Sequence, residues 1–471
     1  MKKFTAFALA VIMLFALTAC GEKDMNNLGS TGEGESQSTE KPAAATEIYF
    51  LNSDPEIAEV YERIARDYKE KTGVSVKVVT AANNTYEQTL TSELAKSDPP
   101  TIFQISGHDK YRDWADYCAD LRSTSLYSFL SDKTIAINSG DGIFGIPYVV
   151  EGYGIIYNEE ITDKYFKLKD KNTSYSSMDE INNFEKLKAL VEDMQAHKSE
   201  LGIDGVFAST SLSDEKELRW TYHLANVPFF YEFSKMDGFD SPMLAGLEAA
   251  TINFDFADNF KQVFDLYVDN SVTDKKDLST KSTDDSISEF ALGKAAMMQN
   301  DTNSYRRISK VSGNVVKDDD IKMLPIYTGA DDEEKQGLCI GTESYLVVNS
   351  KVSSAKQQAS IDFLEWLFSS DEGKKHVTQD LGFISPFNTF DDDERVSNPL
   401  AREMLDWMEK DGIESVPWVF TSFPSEAFNK TFSDSLNLYA QGTKDWDDVV
   451  DDVKNSWKDA VAEMKNVGND A

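Results

Sequence analysis

Basic residues are scarce in this 471-residue chain: 47 lysines and arginines stand against 82 aspartates and glutamates, a formal charge of −35. Such a surface repels nucleic acid and anionic lipid headgroups, so neither is an expected partner. Cysteine is scarcer still. Cys20, Cys118 and Cys339 are too few and too far apart for a disulfide framework or a zinc site, and the last two read as buried free thiols. The four histidines are scattered, with no nucleophile elbow or metal-ligand cluster around them, so neither catalysis nor a cofactor is called for. The acidic runs at 318–320 and 391–394 lack the glycine-punctuated spacing of a calcium loop and read as solvated loops, with calcium as the alternative. No internal repeat is visible. Long apolar runs are absent except for 4–19, which falls short of the roughly 20 residues a membrane-spanning helix needs.

That run lies within MKKFTAFALAVIMLFALTAC, where two lysines precede it and a cysteine follows two small residues. Charge, length and cysteine position resemble a bacterial lipoprotein signal, which implies cleavage of residues 1–19 and a diacylglycerol on the Cys20 thiol. An uncleaved anchor helix and ordinary secretion with a free cysteine are the alternatives. Residues 20–45 are rich in Gly, Ser, Thr and Glu, with few large apolar side chains, and read as a flexible tether. The expected location is the extracellular face of the cell membrane, lipid-anchored, in a Gram-positive bacterium.

Beyond the tether, about 425 residues exceed what one core organises, so two lobes are expected. EIYFLNS (47–53) reads as a strand, and Asp54 with Pro55 opens a helix as cap and first-turn residue. Ile57, Val60, Tyr61, Ile64 and Tyr68 recur at helical spacing until Gly73, and VSVKVV (74–79) and TIFQIS (101–106) are further strands around a second helix. This β-α-β-α-β order predicts an α/β protein with a mostly parallel sheet, whose ligand sits at the carboxyl ends of strands. Those ends carry Asn52 and, after the third strand, His108 and Asp109. Downstream, helices are expected over 179–198, from 214 onward and over 254–270, and strands over 294–300, 321–327 and 343–349.

One stretch poses a chemical question. IFGIPYVVEGYGIIYN (143–158) is apolar, aromatic or glycine almost throughout, with a single charge, Glu151. A buried carboxylate costs several kcal/mol unless paired or hydrogen-bonded, so Glu151 either serves the fold or waits for a ligand. Gly152 and Gly154 make 150–156 a candidate hinge crossing between lobes. If the segment is extended, Glu151, Tyr153 and Tyr157 share one side.

The words VEGYGIIYNEEI, GKAAMMQN, LPIYTGADDEEKQGLCIGTESYLVVN and FLEWLFSSDEGKKHVTQDLGFISPF, in this order, resemble extracellular solute-binding protein family 1, the carbohydrate receptors of ABC importers. The resemblance covers roughly residues 46–465. It implies a two-lobed periplasmic-binding-protein-like fold (type II) with the ligand cleft between lobes joined by hinge crossings. The lobes are expected as 46–150 in the first, 151–301 in the second, 302–350 returning to the first, and 351–471 as a mainly helical second-lobe and C-terminal segment. It further implies a monomer that captures a sugar or oligosaccharide by lobe closure and passes it to membrane permease subunits.

By the same resemblance Glu151 stands at the sugar-contacting acid of the first crossing, and FQISGHD puts Asp109 forward with His108 beside it. After MMQN the family often carries a stacking tryptophan. Here Asn300 is followed by Asp301, Thr302, Asn303, Ser304 and Tyr305, so the platform shifts to Tyr305 or Trp220. The candidate ligand-binding set is therefore Glu151, Asp109, Asn52, His108, Tyr153, Trp220, His223, Asn300, Asn303, Tyr305 and Glu343. Carboxylates and amides suit sugar hydroxyls, which both donate and accept, and aromatic faces suit the apolar face of a pyranose. Trp220 and His223 are one helical turn apart and could face a cleft together. Trp366, Trp407, Trp446 and Trp457 fall in amphipathic helices and are expected in the core. A receptor for a peptide or polyamine remains an alternative, as does a surface glycoside hydrolase, which would need two carboxylates about 5 to 9.5 Å apart.

Overall fold

The apolar run that begins at residue 48 builds a strand buried at every position, β1 (Ile48–Asn52), in the computed structural model, which describes residues 47–469 apart from 83–84, 214–218, 392–393 and 395. The expected signal and tether over 1–45, with Cys20, lie outside the described residues. After β1 the Asp54 carboxylate accepts the Glu56 N–H at 2.8 Å and caps a 3-10 turn, Pro55–Ile57. The helix Ala58–Thr72 follows and ends at Gly73, whose φ of 78° is the left-handed conformation that glycine adopts without strain. β2 (Val76–Thr80), the helix Tyr86–Leu94 and β3 (Ile102–Ile105) complete the unit, with β2 and β3 parallel to β1 on either side of it.

The remaining strands are β4 (Ile137–Ser139), β5 (Gly142–Pro147), β6 (Glu151–Asn158), β7 (Gly205–Phe207), β8 (Ala295–Asp301), β9 (Ile321–Leu324), β10 (Gln336–Gly341), β11 (Tyr345–Val348) and β12 (Glu414–Pro417). They form two sheets, ordered β2-β1-β3-β11-β5-β4 and β12-β10-β6-β8-β7, with β9 also on β6. Both sheets are mixed. β11 enters the first from the second and runs antiparallel to β3 and β5, which corrects the mostly parallel expectation.

In the first lobe both sheet faces are covered, so the period-two alternation separates two buried layers rather than inside from outside. Ile48, Phe50, Ile102, Leu346 and Val348 pack with the helices Ala58–Thr72 and Ser354–Ser369, and Tyr49, Leu51, Phe103, Tyr345 and Val347 form the opposite layer. In the second lobe Tyr153, Ile155 and Tyr157 of β6 join Phe207 and Met297 under helices from both the middle and the end of the chain, where Trp457 is fully buried. Trp366, Trp407 and Trp446 pack against these clusters as expected of core-facing tryptophans. Cys118 and Cys339 are buried and free. No helix among the described residues is long and apolar enough to cross a membrane.

Two expected boundaries differ from the pairing. Over 302–350, β9 and β10 stay in the second sheet, and only β11 joins the first. Over 351–471, the helix Ser354–Ser369 lies on the first sheet, and the chain reaches the second lobe again at the helix Pro399–Met408 and β12. The chain therefore crosses at 148–150, at 342–344 and after Ile384, whose carbonyl accepts the Val150 N–H at 2.8 Å. Gly152 and Gly154 lie within β6 instead of loosening a hinge. A Cβ on Gly154 would meet the Leu324 carbonyl oxygen at 2.5 Å and Leu338 Cδ2 at 2.8 Å, so glycine is needed there for close strand packing.

Candidate functional site

The two crossings at 148–150 and 342–344 run side by side, with the Tyr148 N–H donating to the Ser344 carbonyl at 3.3 Å. Glu151 is the first residue of β6 and lies opposite Gly341, the last of β10. Its carboxyl is only 8 % exposed and accepts the Asn303 side-chain N–H. Asn303 is delivered by the 3-10 turn Thr302–Ser304, which the Asp301 carboxylate caps by accepting the Ser304 N–H at 3.0 Å. Burial first, then the neighbouring Glu343 and Asp301 carboxylates, push the Glu151 pKa up to about 8, against the relief given by Asn303 and the Arg306 guanidinium. The group is thus a carboxyl that both donates and accepts near neutral pH.

Two residues along β6, Tyr153 lies flat on His223, with ring centroids 4.0 Å apart and planes 5° from parallel. Trp418 and Phe420 close on the same ring at 5.6 and 6.2 Å. Trp418 packs over Gly341 itself, where a Cβ would meet its Cγ at 2.5 Å, so glycine admits the indole beside the crossing. Burial, then the Arg219 charge, hold His223 well below the usual histidine pKa, hence neutral. Its Nδ1 and the Trp418 Nε1 are both buried, and among the described residues neither has a hydrogen-bond partner. The Arg219 guanidinium donates to the Asn300 side-chain oxygen at 2.7 and 3.1 Å and lies 3.6 Å from Asp301.

The other wall belongs to the first lobe. Arg306, which follows β8, pairs with Asp54 after β1 at 3.2 Å, donates to the Leu381 carbonyl at 2.9 Å and covers the Phe383 ring. This clasp ties the lobes together at one edge. Half-buried His108, in the helix Gly107–Trp114, meets Tyr345 edge to face with centroids 6.4 Å apart, and burial ahead of Arg112 lowers its pKa.

The fold thus gathers Glu151, Asn303, Glu343, Tyr153 and His223, with Asn300 behind them on Arg219. Three expected members stand elsewhere. Asn52 is fully buried and spends its amide on the Asp54 backbone and the Thr80 hydroxyl. Tyr305 donates to Asp318 at 2.6 Å on the outer surface. Trp220 is 1 % exposed, donates to the Ser211 carbonyl at 2.8 Å and packs on Phe264 and Tyr267. It parts from His223 because Arg219–Leu224 winds as a π-helix, whose wider turn takes positions three apart off a common face. The side chain of Asp109 lies outside the described ones. Sequence reasoning missed Trp418, Arg219 and Arg306. Trp418 had one signal, a tryptophan in the proline-broken, non-helical run ESVPWVF. One group among the described residues has metal-ligand spacing, Asp170, His197 and Glu200, and none of its members borders the crossing.

A family profile described as bacterial extracellular solute-binding protein matches residues 63–404. Among solved structures the chain is similar to a family 1 extracellular solute-binding protein from Bifidobacterium longum subsp. infantis, with a TM-score of 0.61 and 17 % identity over 88 % of this chain and 99 % of that one. It is similar to apo RafE from Streptococcus pneumoniae, with a TM-score of 0.63 and 16 % identity over 89 % and 100 %. A sugar transporter from Bacillus licheniformis in complex with stachyose gives 0.61 and 16 % over 88 % and 100 %. At these identities the likeness speaks for the two-lobed fold. A search of curated proteins found no match.

Proposed function

The chain belongs to the bacterial extracellular solute-binding protein family, and from that premise we propose that its solute is a sugar or oligosaccharide, bound between the lobes and handed to an ABC permease. Proteins of this family are receptors and not enzymes, which sets the hydrolase alternative aside. The observation that carries the sugar reading is the pairing of Glu151 and Asn303 with the Tyr153–His223–Trp418 aromatic stack at the crossing. Buried polar atoms are nearly always satisfied. Here His223 Nδ1 and Trp418 Nε1 find no partner among the described residues, and both belong to that stack. Hydroxyls of a pyranose would satisfy such atoms while its apolar face packs on a ring. The stachyose complex and a raffinose complex of RafE lend the reading support from the same fold.

Closure follows from a ligand that touches both lobes, because its affinity then differs between open and closed forms and draws the population toward the closed one. Lipid anchoring through Cys20 and the tether belong to the same proposal. The test is calorimetry of the purified protein against raffinose, stachyose and a panel of gluco-, xylo- and chito-oligosaccharides, with chromatography for products. Saturable binding without cleavage is expected. No sugar binding, together with saturable binding of a peptide library, would overturn the sugar reading.

A further inference from the structure

Away from the crossing, a cavity of about 410 Å³ opens in the second lobe where β6 and β9 meet the helix Pro399–Met408. Tyr157 and Tyr327 line it, 8 % and 1 % exposed, and neither hydroxyl makes a hydrogen bond with any described residue. Both residues are more than nine-tenths buried, and their hydroxyls face the cavity, open to bonding by whatever occupies it. The Trp407 indole is fixed in the wall by donating to the Met323 carbonyl at 2.9 Å, and the Lys410 ammonium rests over its ring, 3.4 Å from the centroid. Five carboxylates, Glu403 and Asp406 among them, line the cavity against two ammonium groups, Lys322 and Lys410. Lys322 is already paired with Glu403 at 2.9 Å.

The charge excess selects the ligand class. An anion would be repelled by this excess of carboxylates, and a cation is attracted to it. A single metal ion does not fit either, because the one group of described residues whose ligand atoms converge within 4.8 Å is Asp170, His197 and Glu200, outside this cavity. An extended cation can reach dispersed carboxylates, and an aromatic face adds cation–π attraction. Lys410, on the exposed side, already demonstrates the ammonium position and can swing out to solvent.

We propose that this cavity is a second ligand site, separate from the interlobe cleft, which takes a small organic amine or diamine. Its ammonium replaces that of Lys410 on Trp407, and its N–H groups reach the Tyr157 and Tyr327 hydroxyls and the Asp406 side. Calorimetric titration of the full-length protein with putrescine, cadaverine and spermidine tests this. The expected result is saturable one-to-one binding, tightened roughly tenfold in Lys410→Ala because the resident cation no longer competes, and weakened roughly tenfold in Asp406→Asn. Tyr157→Phe and Trp407→Phe should each weaken it too. Absence of saturable binding in both the wild type and Lys410→Ala at millimolar amine overturns the proposal. Binding indifferent to Asp406→Asn and Lys410→Ala overturns it as well, as adsorption to an acidic surface. A Glu151→Ala variant should leave the amine titration unchanged, and its loss there would move the amine into the interlobe cleft and overturn a separate site.

Discussion

Replacing Glu151 with glutamine should make the empty protein more stable, and increasingly so as pH rises. The glutamine oxygen can still accept the Asn303 N–H, so the substitution keeps the hydrogen bond and removes the ionisation. In the fold the carboxyl titrates near 8 rather than at 4.5, because burial and the Glu343 and Asp301 carboxylates disfavour its charge. A group whose pKa is raised on folding supports the fold fully below the open-chain pKa and loses that support as pH climbs through the folded one. The window here is about 4.5 to 8. At 1.36 kcal/mol per pH unit the full loss approaches about 5 kcal/mol, of which about 4 kcal/mol falls between pH 5 and pH 9. Urea denaturation of wild type and Glu151→Gln at pH 5, 7 and 9 measures it, since other titrating groups cancel in the difference. Parallel stability curves for the two proteins would refute the reasoning and mean that the carboxyl is solvated or ion-paired. In the same protein, Glu151→Ala should cost about 1.5 to 3 kcal/mol of sugar affinity, ten- to a hundredfold, by removing hydrogen bonds to ligand hydroxyls.

His223 is held neutral with a lowered pKa, so its support for the fold is complete above the open-chain value of 6.5 and drains away as pH falls below it; His223→Phe, which keeps the stack on Tyr153, should flatten the acid limb of the stability curve. Arg306→Ala removes the bridge to Asp54 and Leu381, and small-angle scattering should then show a larger radius of gyration for the empty protein, with weaker sugar binding as the closed form loses population. Superimposable scattering curves would count against the clasp. Gly154→Ala should destabilise by about 1–3 kcal/mol in chemical denaturation, because the Leu324 carbonyl it would strike is backbone that cannot yield. Cys20→Ala should abolish palmitate labelling and release the protein from the membrane fraction; unchanged labelling would remove the lipoprotein reading.

Much of the local structure was legible in the residues alone. The Asp54–Pro55 start, the Gly73 stop and the β1–β2–β3 order rest on caps, turns and periods that act within a few positions of the chain. Glu151 declared itself in the same way, as one charge in an apolar run, and the two-residue period put Tyr153 on its side. What the residues by themselves left open were choices between distant partners. β10 pairs with β6 across nearly two hundred positions, and β11, three residues after β10, leaves for the other sheet; both strands read alike locally, and only the register of their neighbours decides. Tertiary packing also wound Arg219–Leu224 as a π-helix, sending Trp220 into the core and His223 to the crossing, where a regular helix would have kept them together. It brought Trp418 over Gly341 and Arg306 onto Asp54, contacts between segments far apart in the chain that no period or spacing encodes. The chain's own chemistry therefore set the elements and the central acid, and the meeting of the two lobes determined which side chains stand around it.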